Sequence, residues 1–320
     1  MKTVAYCDPL VPSEWIAAHK LRPVWVVPRD DRASAESGPL TGECPYARAV
    51  IDTLASCDED TLAVLTTTCD QMRRGAGLLV ERRAESVFLL NVPATRDSSA
   101  SRDYYTAELH RLGRWLVDHG GRPPTSEQLA QIMVDHDAAR ADFRRGRLPA
   151  EEPSWCNPVA VELAALSNAM DDEGIALGLV GGPLRRRDLA IARWIHASGG
   201  RIVLDATDGG CRTLPEPFEP SAVAADPLAE LARAYFEGGP AVFDRPNRRF
   251  VEWLAQHVEQ YNVRGLLFVR HVWCDPWHAA LARLKETLGI PILEIDLGDE
   301  DQGGEGRIGQ RLDALIESLC

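Results

Sequence analysis

The sequence predicts an α/β protein built on parallel β-sheets. Short apolar segments of strand length alternate with longer amphipathic segments along the chain, and the apolar segments are continuous rather than alternating with polar residues. This pattern is typical of parallel sheets that helices cover on both faces. The chain has 320 residues, and a polar, proline-containing stretch at 146–158 interrupts the pattern. We therefore expect two Rossmann-like or flavodoxin-like domains, residues 1–155 and 156–320, with a cleft between them.

The first half contains four predicted strands, which are KTVAYC, PVWVVP, TLAVLT and SVFLLNVP. A turn-rich loop is expected at 29–43. The predicted helices are PSEWIAAHKL, CPYARAVIDTLASC, a segment from about Asp70, SRDYYTAELHRLGRWLVDHG and TSEQLAQIMVDHDAARADFRR. Pro45 lies in the first turn of its helix, where proline is tolerated. Thr125 and Gln128 have the spacing of a capping box.

The second half repeats the alternation. Its predicted strands are GIALGLVGGP, RIVLDAT, GLLFVR and PILEID. Its predicted helices are RRRDLAIARWIHASGG, DPLAELARAYFEGG, RRFVEWLAQHVEQYN, PWHAALARLKETLG and GRIGQRLDALIESL.

Composition and charge limit the classes of partner. The chain is 45% hydrophobic and carries a net charge of −13, so nucleic acid and anionic membranes are not expected partners. The short basic run Arg185–Arg187 is interpreted as the solvated face of a helix start. No signal-peptide core and no run of 18 apolar residues is found, so we expect a cytoplasmic protein. Its eight cysteines are then expected to be free thiols rather than disulfides.

Five of the cysteines lie where an open parallel sheet binds its ligands, beyond the carboxyl ends of strands. Cys7, Cys69 and Cys274 follow strands closely, Cys211 follows one after a short loop, and Cys44 begins a helix. Thiolates gathered from two domains are suited to an iron–sulfur cluster. No C-x-x-C motif is present, so any ligands would have to be brought together by the fold. At this point a metal site and a set of unligated thiols both remain open.

Other catalytic signatures are missing from the sequence. It contains no G-x-G-x-x-G after a strand, no phosphate-binding Walker loop and no G-x-S-x-G motif. His271 and His278 flank Cys274, and we interpret them as loop histidines rather than ligands. Asp70 and Asp275 each follow a cysteine and are interpreted as residues that stabilise helix N-termini.

The cysteine motifs and their surroundings resemble a known family over most of the chain. GECPYAR and TTCDQMRR are similar to its first and second cysteine motifs, and VEQYNVRGLLFVRHVWCDP is similar to its third. VPSEWIAAHKLRPVWV resembles its opening helix and strand, and GIPILEIDLGDEDQGGEGRIGQRLDALIESL resembles its C-terminus. The family is that of the 2-hydroxyacyl-CoA dehydratase D-component and the benzoyl-CoA reductase subunits.

This resemblance implies a [4Fe–4S] cluster held by Cys44, Cys69 and Cys274, with one iron position open to substrate. It implies a radical 2-hydroxyacyl-CoA dehydratase or aryl-CoA reductase, a lyase or an oxidoreductase, that delivers a low-potential electron to a CoA thioester. The implied partners are an ATP-dependent iron–sulfur activator protein and a homologous subunit in a homo- or heterodimer. Glu14 is a candidate acid/base group by analogy of position alone.

The chain departs from the family pattern in its short length and in its compact loop between Pro28 and Cys44. A zinc-bound structural site is a minor option, and two main alternatives to the enzyme remain. One is a reductase of small molecules with a double-cubane [8Fe–9S] cluster, to which Cys7, Cys211 and Cys156 would supply further thiolates. The other is a non-catalytic paralogous partner subunit.

Overall fold

The computed structural model describes residues 1–29, 43–169, 173–298 and 305–320. Within these ranges the chain forms two four-stranded sheets, all of whose strand pairs are parallel. The strands are β1 (Thr3–Tyr6), β2 (Arg22–Trp25), β3 (Leu62–Thr66), β4 (Val87–Leu90), β5 (Ile175–Gly181), β6 (Gly200–Thr207), β7 (Gly265–His271) and β8 (Ile292–Leu297). The predicted α/β class with parallel sheets is confirmed. The predicted loop at 29–43 falls almost wholly outside the described residues.

The two sheets have equivalent strand orders, β2-β1-β3-β4 and β6-β5-β7-β8. In each sheet the chain moves first to one side of the starting strand and then to the other. The order therefore reverses between β1 and β3, and again between β5 and β7. Ligands of open parallel sheets bind at such switch points, beyond the carboxyl ends of the strands.

Twelve α-helices are formed by the described residues. They are α1 (Ser13–Ala18), α2 (Pro45–Ala55), α3 (Asp70–Arg83), α4 (Ser99–Asp118), α5 (Ser126–Arg144), α6 (Pro158–Asn168), α7 (Ala190–Ala197), α8 (Pro220–Ala225), α9 (Pro227–Glu237), α10 (Arg248–Gln260), α11 (Asp275–Leu288) and α12 (Glu305–Leu319). The capping box of Thr125 and Gln128 is confirmed at the start of α5. None of these helices is both long and apolar enough to cross a membrane.

Two helices, α6 and α8, were not predicted from the sequence. Helix α6 begins at Pro158, and the Asn157 side chain accepts a hydrogen bond from the Val159 amide at 3.0 Å. This cap lies at the end of the stretch 146–158, which was interpreted only as a domain break. Helix α8 is one and a half turns long, too short for a periodic apolar pattern to be recognised.

Apolar residues cover both faces of each sheet. On one face of the first sheet, α1, α4, α5 and α9 enclose a core with β1, β3 and β4. Helix α9 belongs to the second half of the sequence, and its Phe236 stacks on Tyr105 of α4 with ring centroids 5.5 Å apart. Residues from both halves thus share this core. The domain boundary at 155/156 stays a prediction.

Strand β5 ends where its backbone lies very close to the backbone of β7. Gly181 has a φ of 151°, and a Cβ atom at this position would lie 1.7 Å from the Val269 carbonyl oxygen of β7. A glycine is required here because no other residue has room for its side chain. The chain then turns away from the sheet at Gly182 and Pro183, which line the pocket described next.

Candidate functional site

A pocket of about 110 Å³ lies at the carboxyl ends of strands from both sheets. Its walls include residues that lie within three positions after the ends of β1, β3, β5, β6 and β7, namely Cys7, Asp8, Thr68, Cys69, Gly182, Pro183, Asp208, Gly209 and Cys274. The pocket is therefore at the switch points of the two sheets. The wider cleft that the sequence predicts between domains stays a prediction.

Three cysteines of the pocket occupy the same structural position, the N-cap of a helix. Cys44 precedes α2, Cys69 precedes α3 and Cys274 precedes α11. The free amides of a helix N-terminus carry a partial positive charge, which favours a thiolate over a thiol. None of the three side chains makes a capping hydrogen bond of ordinary geometry.

Burial and the helix amides act on these thiols in opposite directions. The pKa of Cys44 is about 11, because burial raises it by more than the amides of Ala47 and Tyr46 lower it. Burial likewise raises the pKa of Cys69, and the Met72 and Gln71 amides lower it.

The three thiols also lie close enough to affect one another. Burial raises the pKa of Cys274, and the neighbouring Cys44 and Cys69 raise it further, while Cys69 also raises the pKa of Cys44. The structure therefore brings together the three cysteines that the family resemblance implies as ligands. Within the described ranges, however, no three side chains of His, Cys, Asp or Glu form a group that could hold a metal ion. A cluster at this pocket is accordingly a proposal.

The other cysteines named from the sequence fall into two places. Cys7 lines the same pocket. Its pKa is raised mainly by burial, then by Asp8, and to a smaller extent by Cys69. Cys211 is not among the lining residues. It lies instead near the buried Cys156, whose pKa is raised by burial and then by Cys211.

Most polar side chains of the pocket wall are held by protein partners. Asp8 accepts hydrogen bonds from the Thr66 hydroxyl at 2.5 Å and the Leu10 amide at 2.8 Å. Asp208 accepts from Arg212 and from the Trp277 indole, and burial raises its pKa.

Three buried polar atoms of wall residues have no hydrogen-bond partner among the residues that the structure describes. They are Trp25 Nε1, the Tyr46 hydroxyl and His271 Nδ1. His271 is fixed through its other nitrogen, because Nε2 lies 2.7 Å from the Pro183 carbonyl oxygen. Burial lowers the pKa of His271 to about 4, which keeps the ring neutral near neutral pH. Sequence reasoning missed Trp25 and Tyr46 and interpreted His271 as a loop residue, although Tyr46 and His271 lie within the cysteine motifs.

Glu14 lies in a buried polar cluster outside the residues that line the pocket. Its carboxylate pairs with Arg140, accepts a hydrogen bond from Tyr235 at 2.6 Å and lies 3.5 Å from His136 Nδ1. Burial alone would raise its pKa, but Arg140 and His136 outweigh that effect and lower it to about 2. The carboxylate is thus already engaged by a cation in the folded chain, and only its partner Tyr235 reaches the pocket wall.

Arg185 corrects the interpretation of the basic run as a solvated face. Its side chain is buried, and its Nη2 donates to the Gly298 carbonyl oxygen at 3.3 Å. Its charge lowers the pKa of Cys44. Arg186 is half-exposed and pairs with Glu162, as expected for a surface residue.

The fold and the pocket define a two-sheet α/β protein with a thiol-lined pocket at its switch points. The family model described as 2-hydroxyglutaryl-CoA dehydratase, D-component, matches residues 10–319. The chain therefore belongs to this family, as the cysteine motifs predicted, and the family consists of components of dehydratase-type enzymes.

Other comparisons add little. No curated protein matches the chain. Among solved structures, a mutant of the laminin-binding adhesin Lmb from Streptococcus agalactiae is 11% identical over 100% of this chain and 98% of its own, with a TM-score of 0.23. The complex of SsGBP with GDP is 10% identical over 100% and 99%, with a TM-score of 0.24. At such scores these likenesses carry no argument.

Proposed function

We propose that the chain is the iron–sulfur subunit of a 2-hydroxyacyl-CoA dehydratase or of an aryl-CoA reductase-like enzyme. It would deliver a low-potential electron to a CoA thioester. Family membership supports a component of a dehydratase-type enzyme. One observation carries the finer proposal, namely that Cys44, Cys69 and Cys274 line one pocket and each stands at the N-terminus of a helix.

The described side chains do not stand as a metal-binding group, but the chemistry of the pocket residues suits a thiolate-bound cluster in two respects. First, the donor set is right, because cysteine thiolates are the usual ligands of iron–sulfur clusters and helix N-termini favour the thiolate form. Second, the buried Trp25 indole is a hydrogen-bond donor without a partner among the described residues, and cluster sulfurs accept such bonds. Cys44, Cys69 and Cys274 would hold the cluster. When bound, a [4Fe–4S] cluster supplies one-electron transfer at low potential.

The wall of the pocket supplies the surroundings that such chemistry needs. Apolar side chains such as Met72, Phe243 and Trp277 make up much of it, and they exclude water from the reacting groups. A volume of about 110 Å³ is too small for a whole coenzyme A. The coenzyme would then extend outside the pocket. An ATP-dependent activator and a homologous second subunit complete the proposed enzyme.

Serine variants of the three cysteines test the ligand assignment. We expect Cys44→Ser, Cys69→Ser and Cys274→Ser each to lose the cluster absorbance of protein purified without oxygen. Cys57→Ser is the matched control, because Cys57 lies just beyond the end of α2, where its thiol donates to the Thr53 carbonyl oxygen away from the pocket wall. Full absorbance in all three single variants would overturn the assignment.

The double-cubane alternative has a specific observation in its favour, since Cys7 adds a fourth thiol to the pocket wall. It would need further thiolates, and Cys211 with Cys156 lies elsewhere. An iron content of about eight per chain, twice that of a single cubane, would favour this alternative. Iron-free protein under anaerobic handling would favour the non-catalytic partner subunit.

A further inference from the structure

We propose that Tyr46 and His271 form a donor–acceptor pair that recognises the head of a 2-hydroxyacyl thioester. In this arrangement the Tyr46 hydroxyl donates to the thioester carbonyl oxygen, and His271 Nδ1 accepts from the 2-hydroxyl group. The inference rests on the proposed function, because that function supplies the substrate class.

Tyr46 provides the donor. Its side chain is 5% exposed, it lines the pocket, and its hydroxyl has no hydrogen-bond partner in the part of the chain that is described. Buried hydroxyl groups are nearly always hydrogen-bonded, so one without a protein partner on a pocket wall points to a ligand acceptor.

His271 provides the acceptor. The Pro183 carbonyl can only accept, so Nε2 carries the ring proton and Nδ1 carries a lone pair. The residue is 2% exposed, lines the pocket, and Nδ1 has no donor among the described residues. The hydrogen bond made by Nε2 fixes the tautomer of the ring and leaves Nδ1 as an acceptor.

The two rings stand side by side on the pocket wall, with centroids 5.4 Å apart and an interplanar angle of 35°. The carbonyl oxygen and the hydroxyl oxygen of a 2-hydroxyacyl group are attached to adjacent carbons. One accepts hydrogen bonds and the other donates them, so the group complements a neighbouring donor and acceptor. A simple acyl thioester would satisfy Tyr46 and leave His271 without a partner.

The Trp25 indole is assigned above to the cluster sulfurs, and other polar groups of the wall are engaged by protein partners. Arg96 donates to Asp244 at 3.0 Å and to the Phe236 carbonyl at 3.2 Å. Tyr235 donates to Glu14. These contacts leave Tyr46 and His271 as the neighbouring donor and acceptor that a small polar head can meet.

Binding of paired thioesters tests the proposal. The probes are 2-hydroxyglutaryl-CoA against glutaryl-CoA and lactoyl-CoA against propionyl-CoA, each titrated calorimetrically into protein purified without oxygen. We expect wild-type protein to bind at least one hydroxy ester about three- to tenfold more tightly than its partner, the value of one hydrogen bond.

The variants separate the two roles. His271→Gln keeps a donor for the Pro183 carbonyl and leaves no acceptor at the Nδ1 position, because its Oε1 is bonded to the same carbon as the donating Nε2. It should erase the preference and leave the affinity for the simple ester unchanged. Tyr46→Phe should weaken both esters of a pair about equally. Tyr6→Phe is the control, since it removes a buried hydroxyl that bonds the Ser154 carbonyl, and neither residue lines the pocket. It should change neither affinity.

The outcomes distinguish this inference from the proposed function. Wild-type protein that holds iron but shows no preference for either hydroxy ester contradicts the inference alone. So do variants that hold iron and keep wild-type affinities. Unchanged affinities in Tyr46→Phe with a shifted cluster potential would mean that Tyr46 donates to the cluster, which also contradicts it. Wild-type protein without iron and without affinity for any of the esters overturns the proposed function itself.

Discussion

The rings of Tyr46 and His271 are neighbours on the pocket wall, although the two residues come from opposite halves of the chain. Tyr46 lies in the first turn of α2, two residues after Cys44, and His271 ends β7, three residues before Cys274. Their ring contact of 5.4 Å therefore links the first and third cysteine motifs. Substitution of either ring should therefore alter the structure around both motifs.

Cys7→Ser should leave the iron content of the protein unchanged. Cys7 lines the pocket, but it is not one of the three helix-capping cysteines to which we assign the cluster. Iron and sulfide analysis of anaerobically purified Cys7→Ser, beside wild type and Cys57→Ser, measures this directly. A loss of half the iron in Cys7→Ser would instead support a double cubane.

Folding stability should fall as the pH drops from about 4.5 towards 2, with Glu14 as one cause. The folded-state pKa of Glu14 is lowered to about 2 from the usual 4.5, mainly by Arg140. The unfolded chain therefore binds a proton first, and the stability that the ionised group contributes above pH 4.5 is lost as the pH falls through the folded pKa. The loss is about 3 kcal/mol at most.

Glu14→Gln tests this effect by urea unfolding at pH 7 and at pH 3. We expect it to destabilise the fold at pH 7 by about 3 kcal/mol, because it leaves Arg140 buried with its charge uncompensated. The difference from wild type should shrink at pH 3. His136 and Tyr235 also face Glu14, so a His136→Gln variant controls for the histidine charge. An equal difference at both pH values would contradict the assignment.

Gly181→Ala should destabilise the fold and weaken the site together. The added Cβ would overlap the Val269 carbonyl of β7, so the end of β5 must move. The shift would carry Pro183 away from His271. We expect a loss of more than about 2 kcal/mol in unfolding free energy and a lower iron content. Gly77→Ala is the matched control, because a Cβ there meets no atom within 4 Å and alanine favours a helix interior.

The strands and the positions of Cys7, Cys69 and Cys274 could be predicted from sequence because both depend on local pattern, whereas Cys211 does not line the pocket as expected. Continuous apolar segments gave β1, β3, β5 and β7, and a cysteine after a parallel strand lies at a sheet edge wherever the strand pairs. The burial of Arg185 and the pairing of Glu14 with Arg140 could not be predicted in this way. They depend on contacts between residues more than a hundred positions apart.

The partnerless groups of the pocket wall were missed for a related reason. A tyrosine after C-P and a histidine at a strand end are ordinary in a sequence, and only the fold reveals which neighbours they lack. His271 was interpreted as a loop histidine because the Pro183 carbonyl that fixes its tautomer lies 88 residues earlier in the chain. Their position within the cysteine motifs was the one feature of the sequence that could have indicated a role for Tyr46 and His271 in the site.

Iron, acid-labile sulfide and zinc per chain, with the electron paramagnetic resonance spectrum of the reduced protein, test the central claim most directly. The protein must be purified without oxygen. The proposed function predicts about four irons and matching sulfide per chain, no stoichiometric zinc, and the signal of a reduced cubane. Stoichiometric zinc, or no metal at all under these conditions, would contradict it.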